Sequence, residues 1–130
     1  MGTSMELTKH IEQPGLILFT EYYDACVHFY RDVIGLPVLF RRATLTCFAF
    51  GTAYLMIESG GVAGRTEKPR TANPVVLRFN VTDVEAAAAE LRTLGVVVRV
   101  EPYDWGIIGV FDDPDGNRCE LKDAWPQSRD

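Results

Sequence analysis

One pattern of apolar and turn-forming residues runs through this chain twice, and any fold for it must use that pattern twice. GLILFTE (15–21) has the composition of a strand. DACVHFYRDVIG follows, with Cys26, Phe29, Tyr30 and Val33 at helical spacing and Gly35 positioned to end the helix. Three strand-length runs come next, at 37–42, 45–50 and 53–58. The second half restarts with VVLRFNV (75–81) as a strand. TDVEAAAAELRTLG is then a helix opened by a capping box of Thr82 and Glu85, with Val84, Ala87, Ala88, Leu91 and Leu94 inward. Runs at 96–101, 107–112 and 117–122 complete it. The helix-opening acids Asp24 and Asp83 stand 59 residues apart, so the reading is α+β, with two βαβββ modules in tandem: 15–58 and 75–124.

Between the modules, SGGVAGRTEKPRTANP (59–74) is rich in Gly, Pro and charge without apolar periodicity, which predicts a linker or mobile loop. Residues 1–14 and 125–130 are expected to be tails. A module of this size cannot bury a sheet face alone, so the halves should pair, either within one chain or by exchange in a homodimer. With 130 residues, 47% of them hydrophobic, a core is available to the pair. The net charge of −5 argues against nucleic acid and anionic membranes as partners and favours a small neutral or mixed-charge ligand. No apolar run approaches the roughly 20 residues that cross a bilayer, and the first residues lack a secretion signal's apolar core, so a cytoplasmic protein is expected. Cys26, Cys47 and Cys119 lack CxxC spacing and read as buried free thiols.

Strand alternation separates the two faces of each sheet. Val75, Leu77, Phe79 and Val81 are apolar enough to pack under a helix, leaving Val76, Arg78 and Asn80 on the other face. Leu16 and Leu18 likewise face the helix, and Ile17, Phe19 and Glu21 do not. The second face mixes apolar walls with the polar groups Glu21, Arg78, Asn80 and Glu120, the lining of a ligand cleft. The alternative is a face that is solvated or covered by a second chain.

Two βαβββ modules, the stretch DACVHFYRDVIGLPV, the repeat VTDVEAAAAELRTLGV and the ending WGIIGVFDDPDGNRCEL together resemble the glyoxalase/bleomycin-resistance/dioxygenase superfamily, over roughly residues 15–124. The resemblance implies that the modules curve a mixed sheet around a cleft. It also implies, for the metal-using members, ligands from the first and last strand of each module. Counted from Asp24 and Asp83, the first-strand places fall at Ile17 and Val76; matching LMI (55–57) to CEL (119–121) puts the last-strand places at Met56 and Glu120. Only Glu120 suits a hard cation. The resemblance therefore points to the metal-free binding branch and to no cofactor. The alternative is a divalent-metal lyase, isomerase or dioxygenase using Glu21, Glu58 and Glu120.

The resemblance further implies that the Trp105–Gly106 pair lines the cleft, with the indole as a stacking surface worth on the order of 1 kcal/mol beyond area burial. DPDGN (113–117) reads as a hairpin turn that sets the register of the strand bearing Glu120, since the twelfth position of a calcium loop would fall on Ala124. His28 is flanked by Asp24 and Asp32 at helical spacing and should face solvent in an ion pair, while His10 lies in the tail. Cys47 is expected to be packed, and no nucleophile or phosphate-loop motif is present. Any acid–base role would fall to Glu120, kept ionised by Arg78. The sequence thus predicts a cleft lined by Phe19, Glu21, Tyr54, Met56, Arg78, Asn80, Trp105 and Glu120, holding a small, partly aromatic molecule.

Overall fold

The computed structural model describes residues 6–123; residues 1–5, Ala124 and the expected tail at 125–130 lie outside them. Module 1 comprises β1 (Gly15–Thr20), α1 (Tyr23–His28), β2 (Val38–Arg42), β3 (Leu45–Phe50) and β4 (Ala53–Ser59). Module 2 comprises β5 (Leu77–Val81), α2 (Val84–Thr93), β6 (Arg99–Tyr103), β7 (Gly106–Asp112) and β8 (Arg118–Asp123). Each forms a four-stranded mixed sheet, ordered β1-β4-β3-β2 and β5-β8-β7-β6, with the first strand parallel to the last and the other pairings antiparallel. The expected α+β duplication is therefore present. Residues 7–10 of the expected tail form one 3-10 turn.

The helix sides of both sheets share one core. Phe48, Leu55 and Ile57 from module 1 and Leu77, Phe111, Cys119 and Leu121 from module 2 are buried in a single cluster with Cys26, Phe29 and Tyr30. Phe29 lies 6.1 Å from Phe111 and Phe50 lies 5.5 Å from Phe79, ring centre to ring centre, so aromatic pairs cross between modules. Because strand side chains alternate, the opposite sheet faces look away from this core.

Several local expectations are corrected. The cap of α2 is Asp83, not Thr82; its carboxylate accepts a hydrogen bond from the Ala86 amide at 3.0 Å, and a carboxylate there also meets the positive end of the helix dipole. β5 begins at Leu77 because the Asn73 side chain accepts from the Val75 amide and holds the chain in a turn, leaving Val75 exposed. Leu94 and Leu16, expected inside, are also exposed: Leu94 follows the end of its helix, and Leu16 is on an edge strand. The first helix changes to a π turn over Phe29–Val33, with Ile34 N–H donating to the Phe29 carbonyl at 2.9 Å.

The correspondence between modules differs from the one that Asp24 and Asp83 suggest, since Asp83 precedes α2 as its cap whereas Asp24 is the second residue of α1. The helices start at Tyr23 and Val84, 61 residues apart, whereas the closing glycines Gly35 and Gly95 are 60 apart, the π turn holding the extra residue. The last pairs of the parallel ladders, Thr20↔Ser59 and Val81↔Asp123, match one another. Stepping back three positions, Ile17↔Met56 corresponds to Arg78↔Glu120. The counterpart of Ile17 is thus Arg78, not Val76.

The connecting segment is tied down and not a free linker. The amides of Gly60 and Gly61 donate to the Thr20 carbonyl, Gly64 N–H to Asp115, and Lys68 N–H to Gly116, each at 2.8–3.0 Å. Lys68 Nζ also reaches Asn117 Oδ1 at 3.0 Å. What the sequence marks as a linker is a strap over the DPDGN turn.

Candidate functional site

The DPDGN turn does more than join β7 to β8. Asp113 Oδ1 accepts from the amides of Asp115 and Asn117, both at 2.9 Å, which fixes the hairpin and the Asp112↔Arg118 register. Asp113 Oδ2 accepts from the Tyr30 hydroxyl at 2.6 Å, across the module boundary. Burial, with Cys119 and Asp113 nearby, raises the Tyr30 phenol well above its ordinary value, so it stays a donor. Asp115 is fully buried and accepts from the amides of Glu21 and Tyr22 at 2.7 and 2.9 Å, capping α1 from module 2. The turn thereby clasps one module to the other.

The outer face of module 1 is largely apolar, with Glu58 and Arg42 in the row of Phe19. Ile17 and Phe19 are each 52% exposed, and Phe40 is 40% exposed with the Arg42 guanidinium 4.8 Å from its ring centre. Tyr54 and Met56 pair with Gly15 and Ile17 and are half-buried. The Tyr54 ring lies over Gly15, where any side chain would collide with it. Cys47 is packed as expected, burial pushing its thiol up. Glu21 lies past the end of β1 and accepts from the Ala63 amide at 2.9 Å.

The outer face of module 2 is a charged ladder. Arg78 donates to Glu120 Oε1 through Nε at 3.0 Å and a terminal nitrogen at 2.7 Å, and Arg118 Nε donates to Oε2 at 2.8 Å. Burial alone would raise the Glu120 pKa; the hydrogen bonds from Arg78 and Arg118 outweigh it and hold the carboxylate below its usual range. Sequence reasoning names Arg78 and misses Arg118, although the two-residue spacing of Arg118 and Glu120 on one strand face could have revealed it. Trp105 is 58% exposed, stacked on Tyr103 at 4.8 Å, with Lys122 Nζ 5.5 Å from its ring centre. Asn80 donates to the Asp123 carbonyl at 3.2 Å.

Phe19, Tyr54, Met56 and Glu21 are therefore grouped by one module, and Arg78, Asn80, Trp105 and Glu120 by the other. Among the described residues no hydrogen bond or ion pair joins the two groups, whose sheet faces look away from the shared core. Nor does the chain bring Glu21, Glu58 and Glu120 together: among the described residues no three His, Cys, Asp or Glu side chains converge as a metal site would require. At the four places the family resemblance marks for ligands stand Ile17, Met56, Arg78 and Glu120. Two are hydrocarbon or thioether, one is a cation, and the carboxylate is already shared by two guanidinium groups. This donor set does not fit a divalent ion. His28 is exposed and paired with Asp32 at 2.8 Å, the solvent-facing role expected.

This fold and ladder define a class. The chain belongs to the Glyoxalase/Bleomycin resistance protein/Dioxygenase superfamily, whose family model matches residues 9–121. A search of curated proteins finds no match. Among solved structures, lactoylglutathione lyase from Agrobacterium tumefaciens superposes with a TM-score of 0.69 at 20% identity, covering 85% of this chain and 91% of that one. A bleomycin resistance determinant encoded on the transposon Tn5 gives 0.67 at 18% identity, with 89% and 100% covered. TnmS3, an antibiotic binding protein from Streptomyces sp. CB03234, gives 0.65 at 22% identity, with 88% and 98% covered. At these identities the likeness establishes the fold. Among the described residues no helix is long and apolar enough to cross a membrane.

Proposed function

We propose that the protein binds a small aromatic molecule without a metal, in a cleft completed by a second copy of the chain. The apolar face of module 1 in one copy would oppose the charged face of module 2 in the other. The observation that carries this is the pair of outward faces. Ile17, Phe19 and Phe40 on one, and Tyr103 and Trp105 on the other, leave apolar and aromatic surface exposed on sheets whose helix sides already share a core. The Tn5 bleomycin resistance determinant and the antibiotic binding protein TnmS3 have this fold, which agrees with a binding role. The Ile17, Met56, Arg78 and Glu120 set supports binding without chelation.

Titration with planar ligands should quench tryptophan fluorescence saturably, and Trp105→Ala should lower the affinity about tenfold, the loss of one stacked indole. Failure of every planar ligand to bind at millimolar concentration would sink the proposal.

A further inference from the structure

We infer that this cleft selects aromatic acids, flat rings bearing a carboxylate, with Arg78 receiving the anion, the less exposed Lys122 adding positive charge beside it and the Tyr103–Trp105 pair meeting the ring; the inference rests on the cleft reading above. It comes from asking which charges on the module 2 face are already matched. Glu120 is not available to a cationic ligand, since its side chain is 8% exposed and both oxygens are taken, Oε1 by Arg78 and Oε2 by Arg118. Glu101 is likewise occupied, accepting from Arg99 at 2.9 Å and from the Tyr103 hydroxyl at 2.9 Å. Arg118 has a second carboxylate, Glu67, at 3.4 Å.

Arg78 does not. Its guanidinium is 42% exposed, Glu120 is its sole carboxylate partner among the described residues, and its remaining terminal nitrogen makes no hydrogen bond there. Because Arg118 and Glu67 share in this network, Glu120 engages only one edge of the Arg78 guanidinium and leaves N–H donors of the other edge open. Lys122 lies one row further along. Arg78 pairs with Glu120 and Asn80 with Lys122, so the two cations share a face with Cα atoms roughly 8 Å apart from strand spacing and rise. The Lys122 side chain is 12% exposed, and among the described residues its one carboxylate contact is Asp123, at 4.0 Å. The Lys122 ammonium lies 5.5 Å from the centre of the Trp105 ring, which puts the aromatic surface beside this cationic row. A planar carboxylate can accept from the open guanidinium edge in the two-pronged manner that suits arginine while its ring packs against the exposed side of the stacked Tyr103–Trp105 pair.

Calorimetric titration of three probes separates the possibilities: naphthalene-2-carboxylate, naphthalene-2-carboxamide and naphthalen-2-ylmethylammonium. The carboxylate should bind roughly tenfold to a hundredfold more tightly than the amide, as a charge-assisted hydrogen bond allows. Arg78→Gln should cut that preference to less than about threefold, and Lys122→Met should narrow it independently. Trp105→Ala should weaken acid and amide alike. Equal binding of acid and amide, or tightest binding of the ammonium, would overturn the inference and leave the cleft standing. No binding by any of the three would remove both.

Discussion

At the scale of single residues, the charged ladder of module 2 contains one acid whose ionisation the fold opposes. Asp112 stands opposite Arg118 at the end of β7, and burial, then the neighbouring Glu67 carboxylate, push its pKa up to about 7. An acid raised in the folded state binds its proton more tightly there than in the unfolded chain. Its contribution to stability therefore falls as pH rises from about 4 to about 7 and is constant above. Asp112→Asn should match the wild type near pH 4 and exceed it at pH 8 by about 1 kcal/mol, a value discounted for the side chain's exposure. The corresponding Tm gain, roughly 4 °C, is read by thermal unfolding at the two pH values. An equal gain at both would refute the carboxyl pairing. Residue-level chemistry was partly legible in the sequence: alternation in VVLRFNV put Arg78 and Asn80 outward, and the DPDGN turn put Glu120 on the strand that follows it. The second partner of Glu120 and the Glu67 contact were not. They depend on a strap with no periodicity that comes to rest on the DPDGN turn.

At the scale of elements, the joint between modules is held by a turn whose partners lie 94 and 93 residues away along the chain. Replacing the buried Asp115 by Asn leaves one oxygen to accept from the Glu21 or the Tyr22 amide, puts an NH2 group against the other, and removes the charge that caps α1. Asp115→Asn should cost about 2–3 kcal/mol of stability, measured by urea unfolding, with the far larger share in α1 protection from hydrogen exchange. A loss below about 0.5 kcal/mol would show that the clasp is incidental. The DPDGN letters announced a tight turn, and a turn it is; that its carboxylates cap a distant helix had no local signature. The π turn was equally silent. One extra residue between Tyr23 and Gly35 leaves the helical stripe Cys26, Phe29 and Tyr30 intact, while the two-position shift of the first strands has another source: Asp83 is the cap of α2 and Asp24 the second residue of α1, so aligning the two acids puts Val76 where Arg78 belongs, opposite the place of Ile17. With Arg78 there, an apolar vacancy becomes the ion pair that occupies Glu120.

At the scale of the whole molecule, duplication was readable because each half restarts the same order of strand, helix and three strands. How the halves meet was not readable, since alternation says which residues leave the helix side and nothing about what they face next. In the folded chain the helix sides share a core and the eight candidate residues divide four and four between outward faces, so the central claim concerns two chains. It is tested most directly by complementation. A Phe19→Asp chain has no intact module 1 face, and an Arg78→Gln/Trp105→Ala chain has no intact module 2 face, so dimers of either alone should lack tight sites for naphthalene-2-carboxylate. When the two are unfolded together and co-refolded in equal amounts, about half the dimers are mixed, and one of the two clefts in each is intact if modules pair across chains. The account predicts recovery of about a quarter of the wild-type number of tight sites in the mixture, counted by calorimetry on the dimer fraction. A mixture that binds no better than its two components would contradict it.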